Sequence, residues 1–124
     1  MKENEFGDKF VGELKRINHK IWSLKIHGHE RQRRGIPDWL LCVHGKFIGI
    51  EFKIMRGGKL EVTKLQDYEL ERILNADGIA LVIYRREIDG STCYLGKTFE
   101  SIKEAAENFY WGVIQKWVNT DCID

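Results

Sequence analysis

The chain has 124 residues, 43% hydrophobic and 31% charged, with a single proline. That is enough for one domain around one core, here residues 1–124, and it excludes a disordered or linker-like protein. The formal net charge of +1 hides a polarity: residues 1–34 carry nine Lys/Arg against five Asp/Glu (+4), residues 35–86 sum to +1, and residues 87–124 to −4. A basic front and an acidic tail suit a molecule that turns one face to a polyanion, and equally an unevenly charged solvated surface. Cys42, Cys93 and Cys122 show no CxxC spacing, so they form neither a zinc signature nor a self-contained disulfide framework. Cys42, inside an apolar run, reads as a small core residue. No stretch has the character of a signal peptide or the length of a membrane span, so a soluble cytoplasmic setting without a membrane partner is expected.

In chain order, Phe6, Phe10, Val11, Leu14 and Ile17 recur at three- and four-residue spacing and predict an amphipathic helix from Glu3 to about Asn18. "IWSLKI" (21–26) reads as a short strand and "HGHERQRRG" as a polar loop. "DWLLCV" and "FIGIEFKI" are two strands joined by the tight turn "HGK", to which His44 belongs. After the loop "MRGGKLEV", "TKLQDYELERILNADG" has a helical period and an Asp-Gly stop. "IALVIY" is a buried strand and "STCYLG" a short further one. "SIKEAAENFYWGVIQKWV" is a closing helix that opens with a capping box from Ser101 to Glu104. The fold class is α/β: an α-β-β-β-α-β order with a mixed sheet flanked by helices, plus a C-terminal helix.

Side chains alternate along a strand, so Ile48, Ile50, Phe52 and Ile54 form one apolar face while Phe47, Gly49, Glu51 and Lys53 form the other. Gly49 is expected to leave space beside the two charges. With the turn near "HGK", Asp38 falls roughly opposite residues 51 to 53, and the two carboxylates converge. Such a pair repels unless a cation lies between. Hard oxygen ligands with remaining positions open to water and phosphate describe Mg²⁺ or Mn²⁺, an ion that acidifies water and neutralises charge on a phosphodiester oxygen. Lys53 can orient the attacking water or stabilise the charged phosphorane. The plainer alternative is an ion pair of Glu51 and Lys53, which leaves Asp38 without a purpose.

Pro37-Asp38, twelve intervening residues, then Glu51-Phe52-Lys53, set in this order of elements, resembles the PD-(D/E)XK nuclease superfamily and its αβββαβ, restriction-endonuclease-like core. "GGKL" at 57–60 followed by Gln66 is similar to the small VRR-NUC domains, and beyond them to archaeal-type Holliday junction resolvases. The resemblance covers about residues 3–85. It implies a Mg²⁺- or Mn²⁺-dependent deoxyribonuclease, an endonuclease acting on branched or structured DNA, with Asp38 and Glu51 as metal ligands and Lys53 as a catalytic residue. It further implies a metal-site glutamate on the first helix, for which Glu3 and Glu5 both stand. Glu3 lies on the stripe of Phe6 and Phe10, whereas Glu5 points about 160° away, which favours Glu3. A carboxylate favoured by the helix dipole is the rival reading of Glu3.

Gln66 has two compatible readings, as a member of the capping box Thr63–Gln66 or as a neighbour of the metal site. His29, Arg31, Arg33 and Arg34, just ahead of Asp38, together with Lys59, are candidate DNA contacts, since forked donors near the site suit phosphate; a solvated loop is the alternative. His27 and His29 alone are weak evidence for a metal. Phe109, Tyr110, Trp111, Val113, Ile114 and Trp117 read first as core and second as a homodimer surface. The function from another class is a catalytically inactive nucleic-acid-binding module that keeps the fold.

Overall fold

The alternation of "KFIGIEFKIM" sets the architecture. In the computed structural model, which describes residues 1–27 and 33–121, these ten residues form the longest strand. The elements run α1 (Glu3–Ile17), β1 (Trp22–Lys25), β2 (Trp39–Val43), β3 (Lys46–Met55), α2 (Lys64–Asn75), β4 (Ile79–Arg86), β5 (Thr92–Tyr94), β6 (Lys97–Phe99), α3 (Ile102–Phe109), a π-helical turn (Tyr110–Ile114) and α4 (Gln115–Asp121). The six strands lie side by side in chain order, with β3 and β4 parallel and every other neighbouring pair antiparallel. Among the described residues, no helix is long and apolar enough to cross a membrane.

Ile48, Ile50, Phe52 and Ile54 are buried on one face of the sheet, where α1 and α3 pack. The centre of that layer is aromatic. Phe52 meets the ring of Phe6 edge-on at 5.4 Å and that of Phe10 at 5.6 Å, and Phe10 reaches Phe109 at 5.9 Å. Gly7 faces Phe52: a side chain there would fall 2.9 Å from its ring, so the glycine lets α1 lie close on the sheet. The β2–β3 connection is a two-residue turn, His44 and Gly45 at φ 51° and 81°, the left-handed pair that matches the twist of a hairpin.

On the opposite face α2 packs on β3 and β4. A Cβ on Gly49 would sit 2.8 Å from Ile73 of α2 and 3.1 Å from Pro37. The space expected beside Glu51 is therefore filled by the helix, and Gly49 serves helix–sheet packing. The cap of α2 forms in both directions: Gln66 N–H donates to Thr63 Oγ1 at 3.1 Å, and Thr63 N–H donates to Gln66 Oε1 at 3.0 Å. Ser101 caps α3 by accepting from Glu104 N–H at 3.1 Å.

Three expectations change. The segment after β4 holds two short strands, β5 and β6, rather than one. Cys42 pairs with Phe47 on the α2 side of the sheet and is half-buried, outside the core, while Cys93 is buried and also a free thiol; Cys122 lies outside the described residues. The closing helix widens into a π-helical turn. Asn18 Nδ2 and Gln115 Nε2 both donate to Tyr110 Oη, at 3.0 and 2.8 Å, and the extra residue keeps Phe109, Tyr110 and Ile114 buried together while Trp111 stays 61% exposed.

Candidate metal centre and nucleic-acid face

β2 ends sooner than β3, and the site is built where they part. Trp39 is the first residue of β2 and pairs with Ile50, so on that edge the N–H groups of Phe52 and Ile54 lose a strand partner. Two carboxylates replace it. Asp38 Oδ2 accepts from Phe52 N–H at 2.8 Å, and Glu3 Oε2 accepts from Ile54 N–H at 3.4 Å. Asp38 thus has a backbone role that its sequence position did not disclose. Glu5, by contrast, is exposed and pairs with Lys9 on the outer side of α1.

Glu51 is 2% exposed. Gln66 Nε2 donates to its Oε1 at 3.0 Å, so Gln66 caps α2 and holds the glutamate at once. Its Oε2 is buried without a hydrogen-bond donor among the described residues. Burial, then the adjoining Asp38 carboxylate, push the Glu51 carboxyl up from 4.5 to about 8; the Lys53 ammonium pulls the other way and is outweighed. An orphaned buried oxygen on a carboxylate that faces a second carboxylate is the environment a hard cation satisfies.

The residues present fit that ion as two ligands. Asp38 and Glu51 would hold it, with the remaining positions open. Glu3 lies at the same end of β3 but is turned to the Ile54 N–H, and no group of three or more His, Cys, Asp or Glu side chains placed for a metal forms among the described residues.

Of the expected DNA contacts, Lys59 lines a depression of about 280 Å³ with Glu3, Lys53, Arg56 and Glu61. Arg34 is exposed. Arg33 Nη2 is bound to the buried Glu69 of α2 at 3.0 Å, away from the acid pair and beside Phe47. His29 and Arg31 lie outside the described residues. The sequence reading missed a second depression on the α1 side, about 320 Å³, where Lys2, Asn4, Lys25 and Trp39 surround Glu3 and Asp38. It also missed Tyr84, which the parallel register of β3 and β4 sets directly beside Lys53. The alternation of "IALVIYRR" contains that information only once the register is known.

No protein-family model matches the chain, and no curated protein matches it. Among solved structures it is similar to Hjc of Archaeoglobus fulgidus, a Holliday junction resolvase from an archaeal hyperthermophile. The similarity has a TM-score of 0.59 at 15% sequence identity and covers 83% of this chain and 98% of that one. Nearly the whole of the other molecule is matched, so the agreement extends over its entire fold. On that ground the chain has the fold of that archaeal resolvase.

Proposed function

We propose that the protein is a nuclease that hydrolyses phosphodiester bonds of branched DNA with Mg²⁺ or Mn²⁺. The carrying observation is the Asp38–Glu51 pair, in which Glu51 is buried and one of its oxygens has no hydrogen-bond partner among the described residues, beside Lys53 at the open end of β3. A bound divalent ion would supply Lewis acidity toward the phosphate and a more acidic water.

The chain's own groups do the positioning. Gln66 fixes Glu51 through Oε1 and leaves Oε2 unengaged. The Phe52 N–H holds Asp38. Lys53 donates to the attacking water or to the phosphate oxygen on which charge develops, and neutralises that charge. Glu3 shapes the edge of the site through the β3 backbone, by accepting from the Ile54 N–H. The contact between Gln66 and Glu51 favours a VRR-NUC-like arrangement, and Lys59, Lys2 and Lys25 on either side of Glu3 suit the flanking phosphates.

The test is cleavage of four-way, flap and linear DNA in Mg²⁺ and in Mn²⁺, against an EDTA control. Branched substrates should be cut and EDTA should abolish cutting. Lys53→Ala should reduce the rate about 10²–10³-fold with the thermal transition unchanged. Binding without cleavage in either metal would establish the inactive binding module instead.

A further inference from the structure

Parallel pairing extends the face of the acid pair in one direction. Glu51, Lys53 and Met55 of β3 lie beside Val82, Tyr84 and Arg86 of β4, and α2 meets that face at Gly49 and, through Gln66, at Glu51. Past Lys53 the face opens into a cavity of about 590 Å³ lined by Met55, Gly57, Gly58, Tyr84, Arg86, Ile88 and Glu87, the last with its carboxylate paired to Arg56. It is roomier than either depression around Glu3. Its volume is in the range of pockets that enclose a small molecule, about 300–1,000 Å³.

Two hairpins make the walls and are tied together. Arg56 and Lys59 exchange both backbone hydrogen bonds, at 3.2 and 2.9 Å, around Gly57 and Gly58 at φ 56° and 71°. Nothing lies within 4 Å of where a side chain would begin on either glycine, so their backbone is open to an approaching group. The facing hairpin joins β4 to β5. Its Glu87 N–H donates to Met55 O at 3.0 Å, and its Glu87 carboxylate pairs with Arg56. Arg86 is braced by Asp89 at 3.2 Å. At the tip Ile88 is 88% exposed, an apolar side chain standing in solvent at the cavity rim. One exposed isoleucine is unremarked on most surfaces. Here it shares the lining of one cavity with Tyr84 and Arg86.

We propose that this cavity receives one unpaired base of the DNA strand next to the scissile phosphate, the base lying between the Tyr84 ring and Ile88 while Arg86 meets the adjoining phosphate. The occupant follows from the walls. A flat, mostly apolar heterocycle suits the ring and the aliphatic tip, whereas its backbone anion suits Arg86 and the open glycine N–H groups. A duplex cannot enter, because its bases are stacked and paired; a nucleotide at a branch point can. This rests on the nuclease reading for the position of the strand, and it adds a reason for preferring branched DNA.

The experiment measures binding in EDTA, where nothing is cut, of flap and splayed-arm oligonucleotides in which an abasic site is moved through the first unpaired positions at the branch. At one position the wild-type protein should bind the abasic substrate about 5- to 150-fold more weakly than the intact one. Tyr84→Ala should erase that discrimination and Tyr84→Phe keep it; Ile88→Ser, at a site too exposed to affect folding, should shrink it several-fold. Equal affinity for intact and abasic substrates at every position overturns the proposal. Discrimination that survives in both Tyr84→Ala and Ile88→Ser overturns it as well. Cleavage in Mn²⁺ measured alongside separates the readings: cutting without discrimination removes the base pocket alone, and discrimination without cutting removes the nuclease alone.

Discussion

At the scale of the residue, Glu51 holds a proton that an ordinary glutamate would have lost. Its carboxyl is raised from 4.5 to about 8 by burial and by Asp38, so the folded chain binds that proton more tightly than the unfolded chain does. The sign follows. Below about pH 4.5 both states are protonated and the shift has no effect. Between there and pH 8 the unfolded state is ionised while the fold keeps its proton, and metal-free stability falls as pH rises. Glu51→Gln, which retains the acceptor for Gln66, should remove this slope. Thermal unfolding in EDTA at pH 5 and pH 8 should show the wild type losing more than the variant, and equal losses would refute the assignment. Added Mn²⁺ at pH 8 should raise the wild-type transition and leave that of Glu51→Gln where it was, because ligand binding stabilises only the state that binds. Asp38→Asn should keep the Phe52 N–H bond through its remaining carbonyl and still lose metal-dependent cleavage, which distinguishes the two roles of Asp38.

At the scale of the element, α2 is fastened to the site at its first turn. Gln66 ties the helix start to Thr63 and to Glu51. Gln66→Glu preserves an acceptor for the Thr63 N–H but sets a third carboxylate against Glu51. Helix content should therefore persist by circular dichroism while cleavage drops at least about tenfold. Further along, Ile73 rests on Gly49 at a separation that leaves no room for a methyl group. Gly49→Ala should cost about 1–3 kcal/mol in urea unfolding, and adding Ile73→Val, which removes the nearer of the two obstructing atoms, should restore part of it. A neutral Gly49→Ala would mean that α2 sits farther from the sheet than described.

For the whole molecule, the charge polarity along the chain does not separate in space: α1 of the basic front packs against α3 of the acidic tail, while Lys53, Arg56 and Lys59 of the middle segment line the depression beside Glu3. Binding of a four-way junction in EDTA should weaken linearly in log affinity against log salt, by about 0.9 per phosphate contacted, and Lys59→Ala should flatten that slope by roughly one contact. A salt-independent affinity would argue for a protein-interaction domain with the same architecture.

How much of this was legible in the chain depends on distance along it. Helix periodicity in α1, the capping box of α2, the His44-Gly45 turn and the alternation along β3 are properties of residues within a few positions of one another, and local sterics settle them. With the turn located, counting back from it already brought Asp38 to Glu51. The sequence alone thus determined the strand–turn–strand unit that assembles Asp38, Glu51 and Lys53. Only the tertiary structure decided that Gly49 would be filled by Ile73, that Glu3 would turn to the Ile54 N–H, that Arg33 would be taken by Glu69, and that Tyr84 would come to rest beside Lys53. Each of those depends on the separation of a helix or the register of a parallel strand reached through a long crossover. Such quantities are set by packing among residues far apart in the chain, and no local pattern encodes them.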